Sequence, residues 1–172
     1  MTRKISFSMS FLLFFVLVVL GNPVAADSYK CNDSVAGSFT STLAGGPTCA
    51  SPIGVCTTGI LTGDLEGTYD FTMLTLSPSG NPNDPTEFLY TGISVVDLGN
   101  GNRILGNDSG VMHINPNPAG PSPFTTTVAF RGGEGTYEGA VGRIVATGVL
   151  IFATGNAEGD YSAVICTQKN NH

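Results

Sequence analysis

The sequence predicts an exported, all-β domain, and three observations predict it. Short runs rich in Thr, Val, Ile, Phe and Tyr alternate with clusters of Gly, Pro and Asn, the strand-and-turn pattern of a sandwich or barrel. Gly is abundant at 23 residues, Trp is absent and only 12% of residues are charged; long Ala, Leu, Glu and Lys stretches at helical spacing are missing. Finally, four cysteines, an even number, all follow an N-terminal stretch built like a secretory leader.

That leader has three parts. Arg3 and Lys4 give a positive start, Phe11 to Leu20 is an unbroken apolar run, and Asn22-Pro23 breaks it before the small residues Val24-Ala25-Ala26. Cleavage is expected after Ala26, leaving residues 27–172 as one secreted domain, extracellular or periplasmic. The apolar run is well short of the roughly 20 residues that cross a bilayer, and no later stretch is longer. Five basic against thirteen acidic residues then remain, a formal charge of −8. Such a surface repels nucleic acid and anionic lipid. Neither nucleic acid nor a membrane is expected as a partner once the leader is gone.

Cys31, Cys49, Cys56 and Cys166 all lie in the exported part, which reads as two disulfides with three possible pairings. The spacing favours Cys49–Cys56, closing a small loop through Pro52 and Gly54, and Cys31–Cys166, tying the start of the chain to its last strand. A metal site is not expected, because there is no CxxC pair and the histidines are His113 and the terminal His172. No cofactor signature appears, and no Gly-rich loop opens a helix to hold a nucleotide.

Eight strands are expected, at 35–43, 55–62, 66–77, 87–97, 102–113, 124–131, 141–154 and 159–167. The loops Pro78 to Pro85 and Asn115 to Pro123 hold seven of the ten prolines, a density that no central strand tolerates. Gly99-Asn100-Gly101-Asn102 reads as a tight hairpin turn needing positive φ. The pattern E-G-x-Y occurs at Glu66–Tyr69, Glu134–Tyr137 and Glu158–Tyr161 and reads as strand-start chemistry. The run from Gly142 to Phe152 is nearly apolar on both faces: Ile144, Ala146, Gly148, Leu150 and Phe152 share one side, Arg143, Val145, Thr147, Val149 and Ile151 the other. Burial on both sides suits a filled barrel wall with a subunit contact outside, or a sandwich strand under a loop.

The segment Phe130-Arg131-Gly132-Gly133-Glu134-Gly135-Thr136-Tyr137-Glu138-Gly139-Ala140-Val141-Gly142-Arg143 resembles the GG-x-G-x-[FY]-x-G-A-x-G signature of the allene oxide cyclase and dirigent barrels. Gly63 to Tyr69 and the strand ending Asn107 to His113 sit at matching places upstream. The resemblance covers about residues 60–155. It implies a calycin-like, eight-stranded antiparallel β-barrel with an apolar cavity, often dimeric or trimeric, with ligands such as oxylipin epoxides or phenoxy radicals. The glycines of the signature are structural. The cyclases' catalytic residues find no position-by-position match, and the region of Cys31, Cys49 and Cys56 departs from both families.

An eight-stranded barrel can just hold one small ligand. On strand 102–113, Arg103, Asn107 and His113 alternate with Asn102, Asp108 and Met112, so one face carries an Arg and a His and the other an Asp. Arg103, Asn107, His113, Tyr69 and Tyr90 are the candidate ligand contacts. Asp70 and Asp108 are the candidate catalytic groups, since a carboxylate in an apolar cavity has a raised pKa and can move a proton. Arg143 is expected to pair with Glu138 or Glu134 at the rim. Asn32-Asp33-Ser34 and Asn107-Asp108-Ser109 match the glycosylation sequon; use of the second requires Asn107, and with it Arg103 and Ser109, to face outward. Three functions stay open: a barrel binding a small hydrophobic molecule, a cyclase, isomerase or dirigent-type enzyme steering a reactive intermediate, and a structural or interaction protein whose barrel is filled.

Overall fold

The computed structural model describes residues 29–168; the expected leader and its cleavage point lie outside them. Eight strands run β1 Tyr29–Ala44, β2 Cys56–Gly63, β3 Gly67–Pro78, β4 Glu87–Asp97, β5 Arg103–His113, β6 Ser122–Glu134, β7 Val141–Ile151 and β8 Asn156–Gln168, with one short 3-10 turn at Gly135–Tyr137. Each strand pairs antiparallel with its sequence neighbours, and β1 closes on β8, making an eight-stranded barrel. Closure leaves no edge strand, which removes the unpaired backbone of an open sheet.

Where the strands depart from expectation, pairing explains it. β1 starts at Tyr29 because it pairs with Gln168 and carries Cys31 opposite Cys166. β6 includes Pro123, a residue expected in the preceding loop. Pro123 faces Val149 of β7, while the β5–β6 pairing starts one residue later at Met112↔Phe124; the proline therefore costs no ladder bond on the β5 side. β7 stops at Ile151 because the N–H groups of Thr154 and Gly155 both reach the Ile151 carbonyl, at 3.2 and 2.8 Å. The turn after β4 has Gly99, Asn100 and Gly101 at φ 78, 54 and 78°.

Disulfides join Cys31 to Cys166 and Cys49 to Cys56. The first stitches β1 to β8; the second clips the loop between β1 and β2.

Alternation sends Phe39, Leu61, Val96, Ile104, Val128 and Ile144 into one packed cluster, with Ile104 fully buried. Leu65 and Tyr161 belong to it as well. The Tyr161 hydroxyl accepts from the Leu65 N–H at 2.9 Å and lies 3.1 Å from the Thr62 carbonyl. Residues at the β2–β3 connection thereby plug this end. A second cluster, Met73, Tyr90, Met112, Leu150 and Ala157, lies nearer the other end. The E-G-x-Y tyrosines diverge: Tyr69 and Tyr161 point inward from strands, whereas Tyr137 sits in the 3-10 turn and packs against the first cluster. Only Gly67 begins a strand; Gly159 is inside β8.

Candidate functional site

Between the two clusters the barrel holds a partly open cavity of about 110 Å³, with Leu43 and Val55, at its mouth opposite the plug, in the lining. Its wall is largely apolar and aromatic: Phe39, Tyr69, Phe71, Tyr90, Phe124, Met73 and Met112 contribute. Phe39 and Tyr69 pack edge to face with centroids 6.1 Å apart, as do Phe71 and Tyr90. These geometries suit the ring quadrupoles and hold the side chains against the wall.

Several inward positions on neighbouring strands are glycine. Gly110 pairs with Tyr90, and Gly59 with Tyr69. A Cβ at Gly110 would collide with the Tyr90 ring, and one at Gly59 with the Tyr69 ring. The missing side chains let both phenols lie across the next strand.

Asp108 is the charged residue buried in this interior, 5% exposed. It is placed there by parity: Ile104, Gly106, Asp108 and Met112 of β5 share the inner face. Ser94, also buried, donates from its hydroxyl to Asp108 Oδ1 at 3.0 Å. Asp108 Oδ2 is buried with no hydrogen-bond partner among the described residues. Burial pushes the Asp108 carboxyl up to about 7, only partly opposed by the Ser94 hydroxyl; near neutral pH it exchanges a proton readily. Burial also raises the Tyr69 phenol, against the Ser41 hydroxyl, and pushes Tyr90 up to about 12, against the Thr126 hydroxyl. The Asp108 charge adds to both shifts. Three phenols, Tyr69, Tyr90 and Tyr161, thus share the cavity with one titrating carboxyl.

The other candidates lie elsewhere. Asp70, Arg103 and Asn107 stand exposed on the outer face, because they are one residue out of phase with Tyr69, Ile104 and Asp108, which face inward. They cannot line the cavity. Arg103 pairs with Asp97 at 3.1 Å and with Glu134 at 3.6 Å at the plugged end; it takes the Glu134 partner expected for Arg143. Ser109 is exposed with Asn107, the outward arrangement that the second sequon requires, and Asn32 is exposed too.

His113 lies at the opposite end of β5, outside the cavity. Its Nδ1 is 2.8 Å from Asp84 Oδ2 and its Nε2 is 4.0 Å from Glu87 Oε2. The three side chains offer ligand atoms within 4.8 Å of one another, so this corner, if any, could hold a cation. Asp84 sits below the usual carboxylate range, mainly through the Thr86 hydroxyl and N–H, with the nearby histidine adding to it. The sequence hides this corner: Asp84 and His113 meet only through the β4–β5 pairing. Ser41 and Ser94 were also missed, because small hydroxyls carry no signal that separates a cavity wall from an ordinary strand.

No family model matches the chain, and no curated protein is similar enough to match. A solved structure of a pterocarpan synthase dirigent protein is similar over 85% of this chain and 95% of its own, at 13% sequence identity and a TM-score of 0.33.

Proposed function

We propose that this is an exported barrel that binds a small apolar molecule bearing one hydrogen-bonding group, with that group placed at Asp108. The observation that carries the reading is the unpartnered Asp108 Oδ2 in a largely apolar interior. A buried polar atom without a partner costs about 1–3 kcal/mol. A ligand hydroxyl, carbonyl or ether at that point recovers the cost: a neutral Asp108 donates to an oxygen, and a charged one accepts from a hydroxyl. Size limits the ligand. A cavity of roughly 150 Å³ takes benzene, so about 110 Å³ encloses one small ring at most. A longer molecule must project through the mouth. Export, and a place beside the allene oxide cyclase and dirigent barrels, are part of the same proposal. The leader-like N-terminus, two disulfides and the resemblance of Phe130 to Arg143 support them.

Matched probe pairs, cyclohexanol with cyclohexane and phenol with benzene, test the reading through the methyl NMR signals of Met73 and Met112. The hydroxylated member of each pair should bind about tenfold more tightly, and Asp108→Leu should abolish that preference. Absence of any shift with all four probes would assign the barrel to the filled, non-binding class.

A second reading, a cyclase or dirigent-type enzyme, is favoured by one observation: Asp108 is buried in the cavity wall beside Tyr69 and Tyr90, and burial pushes its carboxyl up to about 7, where a general acid or base works best. It would protonate or deprotonate a reacting group while the walls hold the intermediate folded.

A further inference from the structure

We propose that the open, loop-bearing end of the barrel is a docking face for a neutral lipid surface, from which the cavity takes its ligand. The second clause rests on the ligand-binding reading above; the docking face itself does not.

Because neighbouring strands alternate in direction, the loops 45–55, 79–86, 114–121 and 152–155 converge at one end. They are laced into a rim. The Leu43 N–H donates to the Gly155 carbonyl, the Ala153 N–H to Pro118 and the Ile114 N–H to Thr86, each at 2.8 Å, and the Ser51 hydroxyl donates to the Met73 carbonyl at 2.6 Å. These four loops hold one charged residue, Asp84, and it faces His113. Glu87 flanks the same corner, and Glu158 is exposed on the wall below the rim. The opposite end and the strand segments leading to it carry Asp33, Asp64, Glu66, Asp97, Glu134 and Glu138 together with Lys30, Arg103, Arg131 and Arg143.

At this sparsely charged end, apolar side chains are exposed: Leu43 at 37%, Ile53 at 44%, Leu76 at 37% and Phe152 at 37%. Leu43 also lines the cavity. One apolar side chain thus belongs both to the rim and to the cavity wall. Pressing this face onto lipid removes apolar surface from water and strips few charges of theirs.

The charge pattern selects the kind of lipid. None of the four loops has a Lys or Arg, so at this face anionic headgroups find no counter-charge, while Asp84 and Glu87 beside it are repelled by them. A zwitterionic surface meets neither obstacle, and approach with the mouth first keeps the charge-rich end in water. A small apolar ligand is itself concentrated in such a phase, which gives the mouth a reason to face it. The expectation of no membrane partner rests on net acidity and the lack of a spanning stretch; a neutral interfacial contact needs neither basic charge nor a span.

Flotation of the exported chain with phosphatidylcholine vesicles tests the proposal. Binding is expected to persist at high salt, to weaken when phosphatidylserine is added, and to drop at least about tenfold in Ile53→Asp/Phe152→Asp. That variant changes residues outside the cavity lining, so it should keep wild-type affinity for cyclohexanol in solution. No flotation, flotation abolished by salt, or flotation unchanged in the variant would overturn the docking face. So would self-association, seen by ultracentrifugation and lost in the variant, without flotation; the face would then belong to a second copy. Flotation in a chain that binds no probe would leave the face standing and remove the cavity reading.

Discussion

Cys31 and Cys166 occupy one paired position across β1 and β8, so the disulfide crosses the seam at which the barrel closes. With its ends 135 positions apart in sequence, the bridge confines most of the unfolded chain, worth about 4–5 kcal/mol in the chain-entropy account. Cys31→Ser/Cys166→Ser should lower the denaturation midpoint accordingly. The Cys49–Cys56 pair spans only 7 residues, and its removal should cost visibly less. Chemical denaturation of both double variants checks the ranking.

Tyr161 should be irreplaceable by Phe at full stability. Its hydroxyl serves the Leu65 N–H and lies near two carbonyls in the plug. Removing it leaves those backbone groups short of a partner, at about 1–3 kcal/mol. Thermal unfolding of Tyr161→Phe measures the loss, and hydrogen exchange should place it at the Leu65 amide.

Gly110→Ala should destabilise although it adds one methyl. The new Cβ would meet the Tyr90 ring and the Thr125 carbonyl, and a strand paired on both sides cannot retreat. Overpacking of this kind costs about 1–3 kcal/mol. Gly110→Ala/Tyr90→Leu should recover part of it, because the obstructing ring is gone; an additive double-mutant cycle would disprove the coupling.

How much of this was legible in the sequence depends on the distance over which a signal acts. The strands, the Gly99–Asn102 turn and the disulfide spacing rest on local chemistry and on alternation, which act over a few residues. Alternation also grouped Arg103 with Asn107 and separated them from Asp108. It could not say which group faced inward, because Leu105 and Val111 make the outer face of β5 nearly as apolar as the inner one. That choice is made by the partners Ser94 on β4 and Val128 on β6, which meet Asp108 or its strand neighbours only once the register is set. The corner of Asp84, Glu87 and His113 was invisible for the same reason.

The outward group makes a negative prediction. Asp70→Asn, Arg103→Ala and Asn107→Ala should each leave cyclohexanol affinity within about twofold of wild type, since exposed substitutions away from a site change energies by about 0.5 kcal/mol or less. A larger loss in any of them, read by the same methyl titration, would mean that the inner and outer faces have been exchanged.

Asp108 gives the sharpest pH signature. Its folded carboxyl titrates at about 7, against roughly 3.9 in the unfolded chain. Between those values the folded state holds a proton that the unfolded state has released, so this group makes stability fall as pH rises from about 4 to 7 and level off above. Below pH 4 both states are protonated and the penalty is absent. The full swing is on the order of a few kcal/mol. Asp108→Asn, neutral throughout, should flatten that slope and gain most relative to wild type above pH 7. Urea denaturation at pH 4.5, 6 and 8 measures it, and equal slopes in the two proteins would show that Asp108 does not sit desolvated in the barrel.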